Sequence, residues 1–419
     1  MWMLLLACTP SSPEVSGGRE PPPPSDTADT VDTAGADPPV DEENAGGLDT
    51  SDMAGWLFTL TEIHTVDITL DRASWDLLAT DPYAWEQGDI VIDGIPMDDV
   101  GVRLRGKIGS YRAFNGKPKF KISFNEFVTD QRFYGLEELS LNNAVVDCSY
   151  DKEVFGFRVY ELAGVPHLRT AYARVTVNGA DYGLYILLEV PNDRWLRSHY
   201  ADPTGNLYDG KYVWYGGYSY TLLDFGDGND ALFQLEEGTD VANADIAAVS
   251  AAYTASQGTD SYVATMDTVL DWDDYHRMTA VDQIIGHNDG YSMNTNNYRV
   301  YFDPTDGKAD LLPWDLDYTL LYDYQWGLSW TNANGNITNA CFRDATCYAT
   351  QRETMSEVLS VFEAEDWTTW LDDIDALTYA DTQDDPRREC AATDVQVNRD
   401  YLRSWITTRP GELRAFWGL

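Results

Sequence analysis

Stretches of alternating apolar and polar residues fill the first half of the chain and constrain its fold more than any other feature. Three of them, FTLTEIHTVDITL, DIVIDGIPMDDVGVRLRG and KPKFKISFNEF, begin at Phe58, Asp89 and Lys117. Successive side chains of a strand point to opposite faces, so this alternation is typical of half-buried antiparallel strands. Two further strands, AYARVTVNG and GLYILLEV, are joined by a predicted hairpin turn at Asn178-Gly179. The pattern therefore predicts an antiparallel sheet within residues 56–190.

Helical periodicity interrupts this sheet once and then dominates the second half. The segment DKEVFGFRVYELAGV has helical spacing, and Gly164 is its predicted C-cap. After Pro191, two segments with helical periodicity precede the predicted strand–turn–strand YRVYFDPTDGKADLLPWDLD, and the residues from Met355 onward are again mostly helical. We predict an α+β protein with a sheet-rich N-lobe (56–190), a mainly helical C-lobe (191–419) and a site between them.

Charge excludes one class of partner. The chain has 70 acidic and 28 basic residues, a formal net charge of -42. Such a chain repels nucleic-acid phosphates and anionic membrane surfaces, so we expect no nucleic-acid partner. The same excess leaves carboxylates available for hard cations.

The N-terminal residues carry the signals for location. Residues 1–8, MWMLLLAC, resemble the lipobox of a bacterial lipoprotein, in which Cys8 becomes the lipidated N-terminus. Residues 9–55 are rich in Pro, Asp and Thr and predict a disordered tether. We expect an exported lipoprotein, on the outer surface or in the periplasm, that meets the membrane only through this anchor; the alternative is an apolar start without function.

Four cysteines remain once Cys8 is set aside. Cys341 and Cys347 are close enough to close a small loop, which leaves Cys148 and Cys390 as the second pair of an exported protein. Zinc binding is the alternative, but the sequence has no CxxC pair to support it.

Two polar motifs follow one another in the second half. In HNDGYSMN, His287, Asp289 and Asn294 have the spacing of a protein-kinase catalytic loop, and Asp315 and Asp317 follow in LLPWDLDY. Carboxylate and amide oxygens are the ligands that Mg²⁺ prefers. Asp289 is then the candidate base, with Asn294 and Asp315 as candidate metal ligands. Each motif alone is more often structural, since a buried Asn near a turn commonly caps the backbone.

Six segments in order give the sequence a family resemblance that runs from about His64 to Thr319. The segments are VGVRLRG (Val100 to Gly106), KPKFKISF (Lys117 to Phe124), LNNAVVDCSYDKE (Leu141 to Glu153), VNGADYGLYILLE (Val177 to Glu189), NNYRVY (Asn296 to Tyr301) and PWDLD (Pro313 to Asp317). Together they resemble the CotH family of secreted, atypical protein kinases. The resemblance implies a kinase-like two-lobe fold, with an antiparallel sheet N-lobe and a mainly helical C-lobe.

The resemblance also implies roles for particular residues. It implies nucleotide binding by a set of charged residues, namely Arg105, Lys117, Lys121, Glu153 and Glu189. Within this set, Lys121 would contact the phosphates and Glu153 would pair with it. Asp315 and Asp317 would hold the metal together with an amide. Kinase spacing favours Asn294 for that amide and alignment on the Asn-Tyr pair favours Asn297, so both are retained.

The expected function is a Mg²⁺-dependent kinase, with Mn²⁺ as a substitute, that transfers the γ-phosphate of ATP to Ser or Thr of an exported or surface protein. We expect a monomer. Two alternatives stay open. Asp315-Leu316-Asp317 is also the D-x-D pattern of metal-dependent nucleotide-sugar transferases, and an inactive surface or assembly module would keep the fold without turnover. Asp224-Phe225-Gly226 spells the kinase DFG motif but precedes the catalytic loop, so we interpret it as a turn.

Overall fold

The computed structural model describes residues 52–107, 109–210, 213–214, 220–322 and 329–419. The signal-like segment 1–8 with Cys8, and the predicted tether up to Ser51, lie outside the described residues. The last residues assigned to that tether are folded: Asp52 pairs with Arg169, and Gly55–Phe58 form a 3-10 helix.

Seven strands of the first half form a closed barrel. They are β1 (Ile63–Leu70), β2 (Glu86–Ile92), β3 (Ile95–Arg105), β4 (Lys119–Ser123), β5 (Glu138–Asn142), β6 (Thr170–Val177) and β7 (Ala180–Leu188). Their order is β1-β2-β3-β4-β5-β7-β6, and parallel pairing of β1 with β6 closes the barrel. The other pairs of the barrel are antiparallel, as predicted for this half, but the closing pair is parallel and joins the first strand to one that lies about a hundred residues later.

The barrel has its own apolar core, to which alternate residues of every strand contribute. In β1, Val66, Ile68 and Leu70 are fully buried while the residues between them are exposed. The hairpin between β6 and β7 is confirmed, since Asn178 and Gly179 have φ of 50° and 74°, the left-handed conformation that a tight two-residue hairpin turn requires.

The other elements are mainly helical. The helices are α1 (Arg72–Thr80), α2 (Lys152–Ala163), α3 (Asp193–His199), α4 (Ala244–Ser256), α5 (Tyr262–Met266), α6 (Trp272–Ile285), α7 (Tyr291–Asn294), α8 (Asn336–Arg343), α9 (Ala345–Ala364), α10 (Trp367–Asp384) and α11 (Ala392–Trp417). The strands are β8 (Asn206–Asp209), β9 (Val213–Trp214), β10 (Tyr220–Thr221), β11 (Gln234–Glu237), β12 (Tyr298–Asp303) and β13 (Lys308–Pro313). The order β11-β8-β12-β13 forms a four-stranded sheet. The α+β class is thus confirmed, whereas the kinase-like two-lobe arrangement stays a prediction.

Helix α2 links the barrel to the helical part. Most of its residues are buried, and it ends at Gly164 in the left-handed conformation, as predicted. It contains Gly156, where an added Cβ would lie only 2.7 Å from a Leu316 side-chain carbon. The missing side chain lets α2 approach the Asp315-Leu316-Asp317 segment closely.

Both predicted disulfides are present. Cys148 bonds to Cys390 across 242 positions, and Cys341 bonds to Cys347 across 6. His276 Nε2 lies 3.9 Å from Cys347 Sγ, so His276, Cys341 and Cys347 have the proximity that a zinc site would need. Because both sulfurs are bonded to each other, they do not supply the thiolates that a zinc site needs. Among the described residues, no helix combines the length and the apolar character needed to cross a bilayer.

Candidate active site

The candidate site is centred on an ion-paired cluster between the barrel and the β12–β13 hairpin. Lys119, on β4, places its Nζ 2.7 Å from Asp317 Oδ2 and 3.3 Å from Asp315 Oδ1. Asp315 and Asp317 lie two and four positions after Pro313, the last residue of β13. Lys119 is on the outer face of the barrel, because its neighbour Phe120 fills the interior. The alternation of β4 therefore delivers this ammonium group to the two carboxylates.

Arg105 adds a second cation to the cluster. It is paired with Lys119 across the β3–β4 ladder, and its Nη2 lies 3.7 Å from Asp315 Oδ2. The same guanidinium donates to Ser140 Oγ on β5 and lies 5.0 Å from the centre of the Trp314 ring. The planar group is thus held on three sides, as bidentate recognition of phosphate oxygens requires.

Glu153 is buried in the first turn of α2, beside these groups. Its carboxylate accepts a hydrogen bond from Asn142 Nδ2 at the end of β5. Burial, and then the negative charge of Asp315, hold the pKa of Glu153 well above its ordinary value, whereas Lys119 opposes that shift. The close approach of α2 at Gly156 accounts for this position.

Asp289 lies on the other side of Asp315 and is surrounded by amides. Its Oδ1 accepts from Asn294 Nδ2 at 2.8 Å, and its Oδ2 accepts from Asn296 and Asn297 at 3.2 and 3.1 Å. The Asn297 amide also donates to the Asp315 backbone carbonyl at 3.3 Å. The Asn297 side chain therefore connects the predicted base to the backbone of the residue predicted to hold the metal, and both candidate amides lie in this cluster.

The backbone of these two loops is unusual at three non-glycine residues. Thr295, Asn297 and Asp315 have φ of 50°, 46° and 47°, in the left-handed region. Such conformations cost free energy and cluster at functional sites, where the surroundings hold them in place. The hydrogen bond from Trp314 N to Asn297 O fixes the two strained loops against each other.

The three aspartates titrate differently. Burial, and then the neighbouring Asp315, raise the pKa of Asp317 to about 6. Burial alone would raise the pKa of Asp315 too, but Lys119 and Arg105 bring it below its ordinary value. Burial raises the pKa of Asp289, and the amide hydrogen bonds from Asn294 and Asn296 oppose this shift. Unequal carboxyl groups in one cluster are typical of catalytic sites.

Three of the predicted nucleotide-binding residues lie apart from this cluster. Lys117 is buried elsewhere, with its Nζ 2.5 Å from Asp385 Oδ2 and 2.6 Å from the Leu184 carbonyl oxygen. Glu189 pairs with Arg169 at 2.7 Å. Lys121 shares the outer face of β4 with Lys119, but its Nζ bonds to Glu138 at 2.7 Å.

Lys119, which contacts Asp315 and Asp317, was not among the residues predicted from the sequence. The predicted pair was Lys121 with Glu153, whereas the Lys121 ammonium group bonds to Glu138. Because side chains alternate, Lys117, Lys119 and Lys121 are indistinguishable by pattern, and the register of β4 on β3 decides among them. That register pairs Arg105 with Lys119, and no local sequence signal specifies it.

The Asp224-Phe225-Gly226 segment is a turn, as interpreted, although its Asp is not a surface residue. Asp224 is buried and accepts hydrogen bonds from the Asn336 amide nitrogen at 2.7 Å and from the Tyr291 hydroxyl at 3.1 Å. This carboxylate therefore joins the start of α8 to Tyr291 of the HNDGYSMN segment, and its role is structural.

The residues of the cluster suit a hard divalent cation. Asp315, Asp317 and Asp289 offer carboxylate oxygens, Asn294 and Asn297 offer amide oxygens, and no sulfur or imidazole nitrogen contacts these groups among the described residues. An all-oxygen donor set of this kind favours Mg²⁺ over zinc.

Comparison with protein families gives a match that covers most of the chain. The family model described as CotH kinase protein matches residues 102–413, well over half of the chain and including every residue of the cluster. A search of curated proteins finds no match. The extent of the family match is decisive, and we conclude that the chain belongs to the CotH kinase protein family.

Proposed function

We propose that the protein is a CotH-like kinase, which transfers the γ-phosphate of ATP to a Ser or Thr hydroxyl. The observation that carries this proposal is the position of Lys119 Nζ, within hydrogen-bond distance of both Asp315 and Asp317. Phosphoryl transfer needs a cation on the phosphates, carboxylates for metal and a base for the acceptor hydroxyl, and these lie in one cluster.

The chain's own residues divide the work as follows. Lys119 and Arg105 orient the phosphates through charge-assisted hydrogen bonds. Asp289 accepts the proton of the attacking hydroxyl, and the amides of Asn294 and Asn296 hold its carboxylate in one orientation. Glu153, which is buried beside Lys119 and accepts a hydrogen bond from Asn142, would position the lysine.

The metal residues of the proposal are Asp315 and Asp317, with Asn294 or Asn297 as the amide ligand. Mg²⁺, or Mn²⁺ in its place, would neutralise phosphate charge when bound. In this arrangement the kinase-like two-lobe fold corresponds to the barrel and the helical part, with the nucleotide between them. Lys117 and Glu189, both engaged in other ion pairs, are left out of the proposed site.

The proposal extends to place and partner. We infer an exported lipoprotein anchored through Cys8, acting as a monomer on exported or surface proteins, with the membrane contacted only through the lipid. The net charge of -42 supports the exclusion of nucleic acid.

Two other functions share the same carboxylates and are distinguished by ligand. Asp315 and Asp317 both face Lys119, as a D-x-D metal pair of a nucleotide-sugar transferase would face its diphosphate. An inactive assembly module would keep the fold and bind neither donor.

Thermal-shift titration separates the three functions, because a ligand that binds only the folded state raises the melting temperature. For the kinase, ATP with Mg²⁺ stabilises the wild type, and Asp315→Asn loses most of this shift. The matched control Asp273→Asn, in an exposed pair on α6, keeps it. Stabilisation by a sugar nucleotide alone supports the transferase, and no response to either donor supports the inactive module.

Transfer itself is tested with radiolabelled ATP and mixed exported proteins as acceptors. Asp289→Asn retains nucleotide binding and loses incorporation by about 10²–10⁴-fold, because a base acts on the acceptor and contributes little to ground-state binding. Full incorporation by this variant contradicts the assignment of Asp289.

A further inference from the structure

The outer barrel face carries a second pair of cations beside the candidate active site. Across the β3–β4 ladder, Arg105 faces Lys119 and Arg103 faces Lys121. The residues between them point into the barrel core, so all four cations share one outward face. Two residues along a strand advance roughly 7 Å, and this is the spacing of the two cationic pairs.

A third cation, Arg299 of the four-stranded sheet, lies close enough to Lys121 for its charge to act on that lysine. Arg299, on β12, is only 5% exposed, and its Nε and Nη1 have no hydrogen-bond partner among the described residues. Arg103 Nε is likewise buried and unpartnered within that part of the chain. Buried N–H donors without acceptors are costly, so they indicate a missing acceptor. We call Arg103, Lys121 and Arg299 the second cation cluster.

Two tryptophans shape this cluster and connect it to the metal carboxylates. The Trp314 ring contacts two guanidinium groups, with Arg299 Cζ at 4.6 Å from its centre and Arg105 Cζ at 5.0 Å. Arg103 Cζ lies 4.4 Å from the centre of the Trp85 ring. Trp314 immediately precedes Asp315, so the second cluster adjoins the residue proposed to hold the metal.

The nearby carboxylates leave hydrogen-bond donors of the cluster unpaired. Lys121 is paired with Glu138 at 2.7 Å, whereas the Arg299 guanidinium lies 4.0 Å from the Glu236 carboxylate. The charges of Glu138, Glu236 and Glu126 act on Arg103, but its Nε has no hydrogen-bond partner among the described residues.

We propose that the second cation cluster binds an oligophosphate, taking the phosphates of the donor that lie nearer the nucleoside while Lys119 and Arg105 hold the transferred end. This inference rests on the proposed function for the identity of the donor. Guanidinium groups with free N–H donors match phosphate oxygens in geometry and charge. A ligand with two or more linked phosphates spans the roughly 7 Å between the cationic pairs, whereas a monophosphate reaches one of them.

The probe is tripolyphosphate, titrated calorimetrically into the full chain in metal-free buffer, with AMP and ADP as comparison ligands. Wild type binds tripolyphosphate and ADP more tightly than AMP, and binding weakens as salt rises. Arg299→Gln weakens tripolyphosphate binding by about ten- to hundredfold, the range expected when a charged hydrogen-bonding group is lost. Arg277→Gln, which removes a cation from an exposed pair on α6, is the matched control and leaves binding unchanged.

A variant that is expected to increase the affinity for tripolyphosphate distinguishes a binding role from a general loss of structure. Glu138→Gln removes the carboxylate that competes for Lys121, so tripolyphosphate binds more tightly to it than to wild type. If Arg299→Gln does not fold, Arg299→Lys replaces it, since it keeps the charge but loses the planar fork and also binds more weakly.

The outcomes separate this inference from the proposed function. Tripolyphosphate binding that depends on Arg299 and Glu138 as described supports the inference, even if no phosphoryl transfer is found. Equal binding by wild type, Arg299→Gln and Arg277→Gln overturns it, and so does a wild type that binds no oligophosphate, whether or not transfer occurs.

Discussion

Lys119 Nζ and Asp317 Oδ2 lie 2.7 Å apart, although the two residues are separated by 198 positions in the chain. The barrel supplies the ammonium group and the end of β13 supplies the carboxylate. No local sequence pattern brings these two groups together. Their contact depends on the packing of the barrel against the β12–β13 hairpin.

Replacing this lysine should affect catalysis more than replacing its neighbour. Lys119→Met is expected to lower kcat by at least about 10²-fold, because the transferred phosphate loses a charge-assisted hydrogen bond in the transition state. Lys121→Met should mainly raise KM for the nucleotide, since it contacts the donor away from the reacting end. Steady-state kinetics at varied ATP measure both parameters. A loss of kcat in Lys121→Met with only a raised KM in Lys119→Met would show that Lys121 is the lysine at the transferred phosphate.

The pH dependence of transfer should reflect Asp289. Burial raises the pKa of this carboxyl, and only its deprotonated form accepts the hydroxyl proton, so the rate falls as pH decreases through that raised pKa. Asn296→Ala removes a hydrogen bond that lowers this pKa, and should shift the acid limb of the kcat profile to higher pH. Asn398→Ala, on the exposed face of α11, is the control with an unshifted limb. If the acid limb of the Asn296→Ala profile is unshifted, the group that titrates in this limb is not Asp289.

Lys117 should matter for stability and not for nucleotide affinity. Burial lowers its pKa to about 8, and the ammonium group is held by Asp385, the Leu184 carbonyl and the Tyr150 ring. Lys117→Met leaves a buried carboxylate without its partner and should reduce the free energy of unfolding by about 3–5 kcal/mol. Urea denaturation measures the loss, and Lys117→Met with Asp385→Asn should recover part of it.

The same variant tests the remaining nucleotide role of Lys117. Measured well below its melting temperature, Lys117→Met should show an ATP-dependent shift equal to that of wild type. A folded variant that no longer responds to ATP would place Lys117 in the nucleotide site after all.

The two disulfides should differ in their contributions. A bond across 242 positions restricts the unfolded chain more than one across 6. In the chain-entropy description, Cys148→Ser with Cys390→Ser costs about 5–6 kcal/mol, and Cys341→Ser with Cys347→Ser costs about 2 kcal/mol. Chemical denaturation of both double variants provides the comparison, and equal losses would show that native-state packing, not loop length, governs the effect.

Local signals in the sequence were sufficient for much of the fold. Gly164 at the end of α2 and the Asn178-Gly179 turn were predicted because each requires a left-handed backbone that few residues adopt. The β12–β13 hairpin was predicted from alternation and a turn. The parallel β1–β6 pair was not, because no local pattern specifies which distant strand closes a barrel.

The candidate site was predictable in its loops and not in its lysine. Asp289, Asn294, Asp315 and Asp317 were predicted from the order and spacing of two motifs, and Asn297 from the family resemblance. The structure brings them together. The position of Lys119 depends on the register of β4 against β3. The proximity of Arg103 and Arg299 depends on how the barrel packs against the four-stranded sheet. Neither arrangement can be derived from the sequence alone.

Closure of the barrel also bears on how copies of this chain meet one another. In an open sheet the first and last strands expose rows of amide and carbonyl groups that can template pairing with a neighbouring molecule. Here β1 hydrogen bonds to β6 along its length, so the barrel strands offer no such row. Crowding of many copies on one surface would therefore not promote strand-to-strand aggregation through this part of the protein.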